Sequence, residues 1–226
     1  MRVWVCLRHG SRWESGQHAT RTNNLIQSGT MTQAVFLGID VGTSSIKVVA
    51  VDPGGTVRAI SSNPMRVIVE RPGWSEQHPE DWWTGTCSAI KQVLSEIDLP
   101  EVLGVGLSGQ MHSLVALDAA DQVIRPAILW NDVRSSVEAA YIRERVGSES
   151  LRTSTGNPSL EGFTATKLLW MRTNEPERFE KISTMLLAKD YVRFKLTGEF
   201  GIDPSDASGT LLFSVSDGTW SKEMCS

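Results

Sequence analysis

The sequence predicts a mixed α/β domain whose sheet opens in antiparallel hairpins. Three features carry this expectation. Two apolar runs, residues 35–39 and 46–51, flank a short turn rich in glycine and hydroxyls, which is hairpin spacing. Asp52-Pro53-Gly54-Gly55 marks a second turn before another strand-like run. From residue 79 onward, apolar residues recur at helical spacing and alternate with short apolar runs, the pattern of helices laid on a sheet.

In chain order, residues 56–61 form a third strand and 66–69 a candidate fourth, before Pro72-Gly73 breaks the pattern. Pro79 sits at a first helical position with Glu80 and Asp81 in the first turn. Trp83, Cys87, Ile90, Leu94 and Ile97 make one buried stripe, and Pro100 ends the segment. Residues 102–107, 113–117 and 127–130 read as buried strands. A helix over 134–146 stops at Gly147, another covers 163–173, and a short one starts at Pro176. Residues 185–187 read as a strand, 190–196 as a helix ended by Gly198, and 211–215 as a last strand. No repeat or low-complexity tract interrupts the series.

With 226 residues, 40% of them hydrophobic and 21% charged, the chain has the composition of an ordinary globular protein, and its length favours one domain. A net charge of −4 argues against nucleic-acid binding through phosphate contacts. No apolar run approaches the ~20 residues of a membrane helix. Cys6, Cys87 and Cys225 lie far apart and outside any CxxC pattern. They predict neither a zinc site nor a disulfide framework, which fits a reducing, cytoplasmic setting. Residues 1–31 hold four arginines and one glutamate, so they carry +3 and the rest −7. Their Arg and Ser enrichment permits a transit-peptide reading. A start codon placed upstream of the true one is preferred, because Met31 directly precedes the first strand. Residues 1–31 are thus expected to be a non-native or disordered extension, and 32–226 the folded domain.

Four motifs carry candidate chemistry. Asp40-Val41-Gly42-Thr43-Ser44-Ser45-Ile46-Lys47 is a tight turn whose N–H and O–H donors can converge on phosphate oxygens. Asp40 at the strand end places a carboxylate where Mg²⁺ is held, usually through water. The alternative is an ordinary hairpin in which Gly42 supplies a positive φ. Gly104-Val105-Gly106-Leu107-Ser108-Gly109 matches G-x-G-x-x-G, but its glycines fall inside a strand rather than before a helix, which argues against dinucleotide binding. Ser108 and His112 do not have the spacing of a hydrolase elbow. Gln110-Met111-His112 lies between two strands, at a sheet end where ligands bind in open α/β folds. Trp130-Asn131-Asp132 ends the next strand. Its ring, amide and carboxylate suit a polyol, while Asp132 as a helix cap is the plainer reading. Trp82, Trp83 and Trp170 are read as core. Asp203 and Asp206 form a polar turn that caps a helix or lines a cleft.

Leu37-Gly38-Ile39-Asp40-Val41-Gly42-Thr43-Ser44-Ser45 with Lys47 resembles the first phosphate loop of the superfamily that joins sugar kinases, actin and heat-shock ATPases. Ser108-Gly109-Gln110-Met111-His112 and Arg125-Pro126-Ala127-Ile128-Leu129-Trp130-Asn131-Asp132 are similar to the FGGY carbohydrate kinases, and among them to the xylulokinase group. Gly162-Phe163-Thr164-Ala165, Lys167-Leu168-Leu169-Trp170, Lys189-Asp190-Tyr191, Leu196-Thr197-Gly198-Glu199-Phe200 and Ser205-Asp206-Ala207-Ser208-Gly209-Thr210 fit the same group. The match runs in order over about 34–224. Glycerol kinases differ at Gln-Met-His and Trp-Asn-Asp, and gluconokinases just before the Met-His pair and around Asn131. The combined set is specific; the Asp-Val-Gly-Thr turn alone is not.

This resemblance implies a ribonuclease-H-like fold of the actin and sugar-kinase type. It also implies ATP-dependent phosphorylation of D-xylulose at its terminal hydroxyl with Mg²⁺, and a homodimer for the full-length enzyme. By resemblance Met111 and His112 contact the sugar, helped by Gln110, Trp130, Asn131 and Asp132. Asp40 organises Mg²⁺–ATP through water, while Gly42, Thr43, Ser44, Ser45 and Lys47 face the terminal phosphates. The family also has a second domain and a catalytic-base Asp in a glycine-rich stretch. No such stretch occurs in this sequence, so no residue is assigned as base. The chain is expected to be an incomplete N-terminal domain, inactive alone. A sugar-binding module without catalysis and a nonfunctional remnant are the alternatives.

Overall fold

Side-chain alternation explains the first three strands of the computed structural model, which describes residues 32–225; the expectation for residues 1–31 lies outside these. In β1 (Gln33–Val41) the residues Val35, Leu37, Ile39 and Val41 are buried while Phe36 and Asp40 face outward. β2 (Ser45–Val51) buries Ile46, Val48 and Ala50, and β3 (Val57–Pro64) buries Ala59 and Ser61. Both neighbouring pairs are antiparallel. Residues 66–69, expected as a strand, do not form one. Only Ile68 pairs, through a single bridge to Glu76 at the two-residue β4 (Glu76–Gln77).

Helix α1 (Pro79–Ser95) starts at Pro79 as expected, but its deeply buried stripe is Trp82, Gly85, Thr86, Ala89 and Val93, not the predicted series from Trp83. Gly85 and Ala89 let the helix lie close to the sheet, and Trp83, Ile90 and Leu94 flank that contact. After α1, β5 (Pro100–Gly109) returns parallel to β1 and completes a mixed sheet in the order β3-β2-β1-β5. Gly104, Gly106 and Gly109 all lie within β5, and a bend rather than a helix follows, so the dinucleotide requirement is unmet.

The two later strands are shorter than expected and leave the main sheet. β6 (Val115–Leu117) pairs with β8 (Thr184–Leu186), and β7 (Ala127–Ile128) pairs with β4. A bridge between Leu114 and Ile128 holds them side by side. Helix α2 (Ser136–Val146) begins two residues later than predicted: residues 134 and 135 form a turn ahead of it, with the Arg134 N–H donating to the Asp132 side chain. A separate α3 (Ser148–Thr155) follows, unforeseen in the sequence. Then come α4 (Thr164–Asn174), the short α5 (Pro176–Phe179), α6 (Ala188–Thr197) and α7 (Pro204–Ser208). A terminal hairpin joins β9 (Phe213–Ser214) to β10 (Thr219–Trp220).

Helices α1 and α6 cover one face of the sheet, and Trp82, Tyr191 and Val192 enter its main core. Trp170 and Met171 anchor a second cluster around Leu114 and Ile128. Among the described residues no helix is long and apolar enough to cross a membrane.

Candidate functional site

The strand ends β1, β5 and β7 bring three of the predicted segments to one place. At the end of β1, Asp40 is exposed, and its Oδ1 accepts from Ser108 Oγ at 2.8 Å, a residue opposite it on β5. Lys47 lies across the ladder from Asp40 and is also exposed. Gly42 donates to the Ser45 carbonyl at 3.1 Å, and a Cβ on Gly42 would sit 2.8 Å from that oxygen. Gly42 does not adopt a positive φ. The turn requires glycine because space is lacking there, which corrects the hairpin expectation.

Thr43 is the joint of the site. Its Oγ1 donates to Gln110 Oε1 and accepts from Trp130 Nε1, both at 3.0 Å, and its carbonyl accepts from Gln77 Nε2 at 2.8 Å. The hydroxyl expected to face phosphate is therefore already engaged between the Gln110 bend and the Trp130 corner. Ser44 remains exposed on the turn. Gln77, only 1% exposed, was missed in the sequence because a lone Gln in a two-residue strand carries no motif. Its Oε1 accepts from Trp82 Nε1 and Gln110 Nε2, both at 3.0 Å. Gln110 is likewise buried and spends its amide on Gln77, Thr43 and Ser113. It braces the bend rather than facing the cleft.

Met111 is half exposed beside it. His112 has φ +59°, a left-handed conformation that costs a residue with a Cβ about 1–2 kcal/mol. Its ring stacks on Phe163 with centroids 4.5 Å apart, and a Cβ on Gly209 would lie 2.5 Å from its Nε2. Gly209 thus makes room for the ring, which explains that position of the Ser205–Thr210 motif. Burial, and then the nearby Lys167 charge, lower the His112 pKa to about 4, so the imidazole is neutral near pH 7. Its carbonyl accepts from Thr164 Oγ1 at 3.2 Å and from Lys167 Nζ at 2.9 Å.

At the β7 end, Trp130 is 43% exposed, and Asn131 is exposed without a partner among the described residues. Asp132 does not share this position. It is buried, accepts the Ser75 N–H at 2.6 Å and is clasped by the Arg134 guanidinium. Arg134 also reaches Glu76 at 2.6 Å and lies 3.7 Å from the Trp74 ring centroid. Glu76 pairs with Arg125, which pairs with Glu175 at 2.6 Å. A desolvated carboxylate demands such partners, so the expectations of Asp132 as a sugar ligand or as the cap of α2 both give way to a structural role.

Asp203 caps α7, accepting from the Ser205 and Asp206 N–H groups, and together with Asp190 and Asp206 it surrounds Lys189 Nζ at 2.5 to 2.9 Å. Burial opposes the Lys189 charge, but Asp190 and Asp206 with the hydrogen bonds outweigh it and raise its pKa. Burial raises the Asp190 pKa to about 6 against the pull of Lys189. Among the described residues no group of three or more His, Cys, Asp or Glu is placed to hold a metal by itself. An ion at Asp40 would take its remaining ligands from water and phosphate. This suits Mg²⁺, which keeps several waters, so the exposed carboxylate fits that ion.

The assembled site is an open wall: ring, thioether, neutral imidazole and amide on one side, and the 42–45 turn with Asp40 and Lys47 on the other. Two concave regions lie elsewhere, one of about 500 Å³ beside Glu80, Tyr191 and Lys195 and one of about 480 Å³ beside Thr153 and Trp220.

The model of the N-terminal domain of the FGGY family of carbohydrate kinases matches residues 35–226. The xylulose kinase of Escherichia coli (strain K12) is 44% identical over 190 residues, 84% of this chain and 39% of that protein. That of Bacillus subtilis (strain 168) is 44% identical over 191 residues, covering 84% and 38%. Among solved structures, a xyloylose kinase from Brucella ovis is similar at a TM-score of 0.78 and 40% identity, covering 84% of this chain and 40% of that one. Xylulose kinase from Rhodospirillum rubrum is similar at a TM-score of 0.82 and 29% identity, covering 84% and 39%. The chain spans about two fifths of the length of the curated relatives it matches.

Proposed function

The chain belongs to the FGGY family of carbohydrate kinases, with the actin-like, ribonuclease-H-like fold of that family, and from this premise we propose that it forms the sugar-binding and phosphate-facing wall of an ATP-dependent kinase converting D-xylulose to D-xylulose 5-phosphate. The supporting observation is the joint at Thr43, which ties the 42–45 turn to both the Gln110 bend and the Trp130 corner. In this reading Met111 and Trp130 cover the C–H faces of the ketose, while the His112 imidazole and the Asn131 amide take its hydroxyls. Gln110 and Asp132 brace these groups from behind. Asp40 would hold Mg²⁺ through water, and Gly42, Ser44, Ser45 and Lys47 would face the terminal phosphates of ATP. The ion, when bound, neutralises charge on phosphate oxygens. The chain's own part is to fix the terminal hydroxyl toward that turn.

Transfer also needs a base for the hydroxyl proton, worth ~10²–10⁴-fold. Among the described residues three carboxylates around the sugar side are spent, the buried Asp132 on Arg134 and the partly exposed Asp203 and Asp206 on Lys189. The chain alone therefore binds ketose weakly and turns it over poorly, and residues 32–226 serve as the N-terminal domain of a larger cytoplasmic enzyme. Calorimetric titration should show weak saturable binding of D-xylulose, weakened at least tenfold by His112→Ala. A coupled assay should show xylulose-dependent ADP release about a hundredfold or more below that of a full-length relative. Folded wild-type chain with no affinity for xylulose overturns the sugar reading, and a normal turnover rate overturns the inactivity.

A further inference from the structure

A lysine with no exposed surface is costly unless its charge is answered. Lys167 on α4 is fully buried, at 0% exposure, and no carboxylate lies within ion-pair distance of it among the described residues. Its donors go instead to two backbone carbonyls, those of His112 at 2.9 Å and Gly162. The first belongs to the left-handed residue at the centre of the sugar side. The second belongs to a glycine packed against the Trp130 carbonyl, where a Cβ would approach to 2.8 Å. Phe163, stacked on the imidazole, and Thr164, donating to the same His112 carbonyl, come from the start of the same helix. One ammonium group therefore links the bend, the start of α4 and the segment behind Trp130.

We infer that Lys167 is a positioning residue for sugar recognition: by holding the His112 and Gly162 carbonyls it keeps the bend in the left-handed conformation that presents Met111 and His112 to the ketose. This rests on the sugar reading above and names the group that sets its geometry. Burial, opposed by Asp132 and reinforced by Arg134, draws the Lys167 pKa down to about 7, so its position is held by the two carbonyl hydrogen bonds rather than by an ion pair.

The experiment uses the full 226-residue chain and D-xylulose. Lys167→Met keeps the apolar stem and removes the donors, whereas Lys167→Gln keeps an N–H donor. Lys167→Met should remain folded by circular dichroism yet bind xylulose at least tenfold more weakly by calorimetry. In labelled protein the His112 Cα and Cβ shifts should leave the left-handed range, and its ring pKa should rise from about 4. Lys167→Gln should recover part of both effects. A folded Lys167→Met with unchanged affinity and unchanged His112 shifts overturns the inference. Should Lys167→Met not fold, the wild-type ammonium decides: protons protected from exchange and coupled to the His112 carbonyl uphold the inference, and freely exchanging protons overturn it. Should the wild type not bind xylulose, the sugar reading fails, while the His112 shifts in the variants still decide the role of Lys167.

Discussion

A neutral imidazole serves a polyol better than an imidazolium, because it offers one donor and one acceptor at once. At His112, burial and the Lys167 charge maintain that form by lowering the pKa from 6.5 to about 4. Between these values the unfolded chain binds more protons than the folded one. The contribution to stability is therefore complete above pH 6.5 and is lost as pH falls through about 4. Urea unfolding should show a lower free energy at pH 4.5 than at pH 7, with His112 supplying about 1–3 kcal/mol of the difference; His112→Gln should remove that share. Asn131 and Asp132 are neighbours with opposite duties. Asp132→Ala takes one of two carboxylates from the buried Arg134 and the acceptor from the Ser75 N–H, and should cost about 3–5 kcal/mol in thermal or denaturant unfolding. Asn131→Ala should leave stability within about 0.5 kcal/mol and weaken xylulose binding several-fold.

At the scale of elements, a turn and a helix start do most of the positioning. The β1–β2 turn closes only because position 42 lacks a Cβ, so Gly42→Ala pushes against the Ser45 carbonyl. This substitution should cost about 1–3 kcal/mol, seen as a drop of several degrees in the melting temperature. Much of this level was legible in the sequence. The β1–β2–β3 meander followed from alternation and turn chemistry, and α1 from Pro79 and its acidic first turn. The deep stripe of α1 was misplaced because Gly85 and Ala89 carry little hydrophobic signal, yet their small size decides which face touches the sheet. Strands β6 and β7 were overextended because an apolar run reports burial and not which partner a strand meets.

Over the whole molecule, among the described residues, the main sheet packs α1 and α6 on one face and exposes side chains on the other, with Phe36 at 44% and Ile60 at 61% exposure. Since Ile60 buries little, Ile60→Ser should shift unfolding free energy by no more than about 0.5 kcal/mol, measured in urea. Packing beneath the sheet and recognition at its edge are thus separable. The site belongs to strand ends, where the backbone leaves the ladder and polar groups converge.

Sequence by itself determined the meander, the first helix and the set of segments proposed to hold a phosphorylated nucleotide and a sugar. It did so because alternation, turn residues and motif spacing are local properties. Only the tertiary structure decided which polar side chains face the ligand and which brace the protein. Met111 and Asn131 stand open while Gln110 and Asp132 are consumed inside. Lys167, Gln77 and Arg134 gained their roles from contacts far along the chain. The reason is that a buried amide, carboxylate or ammonium must find partners wherever the fold supplies them, and no local pattern records where those partners are.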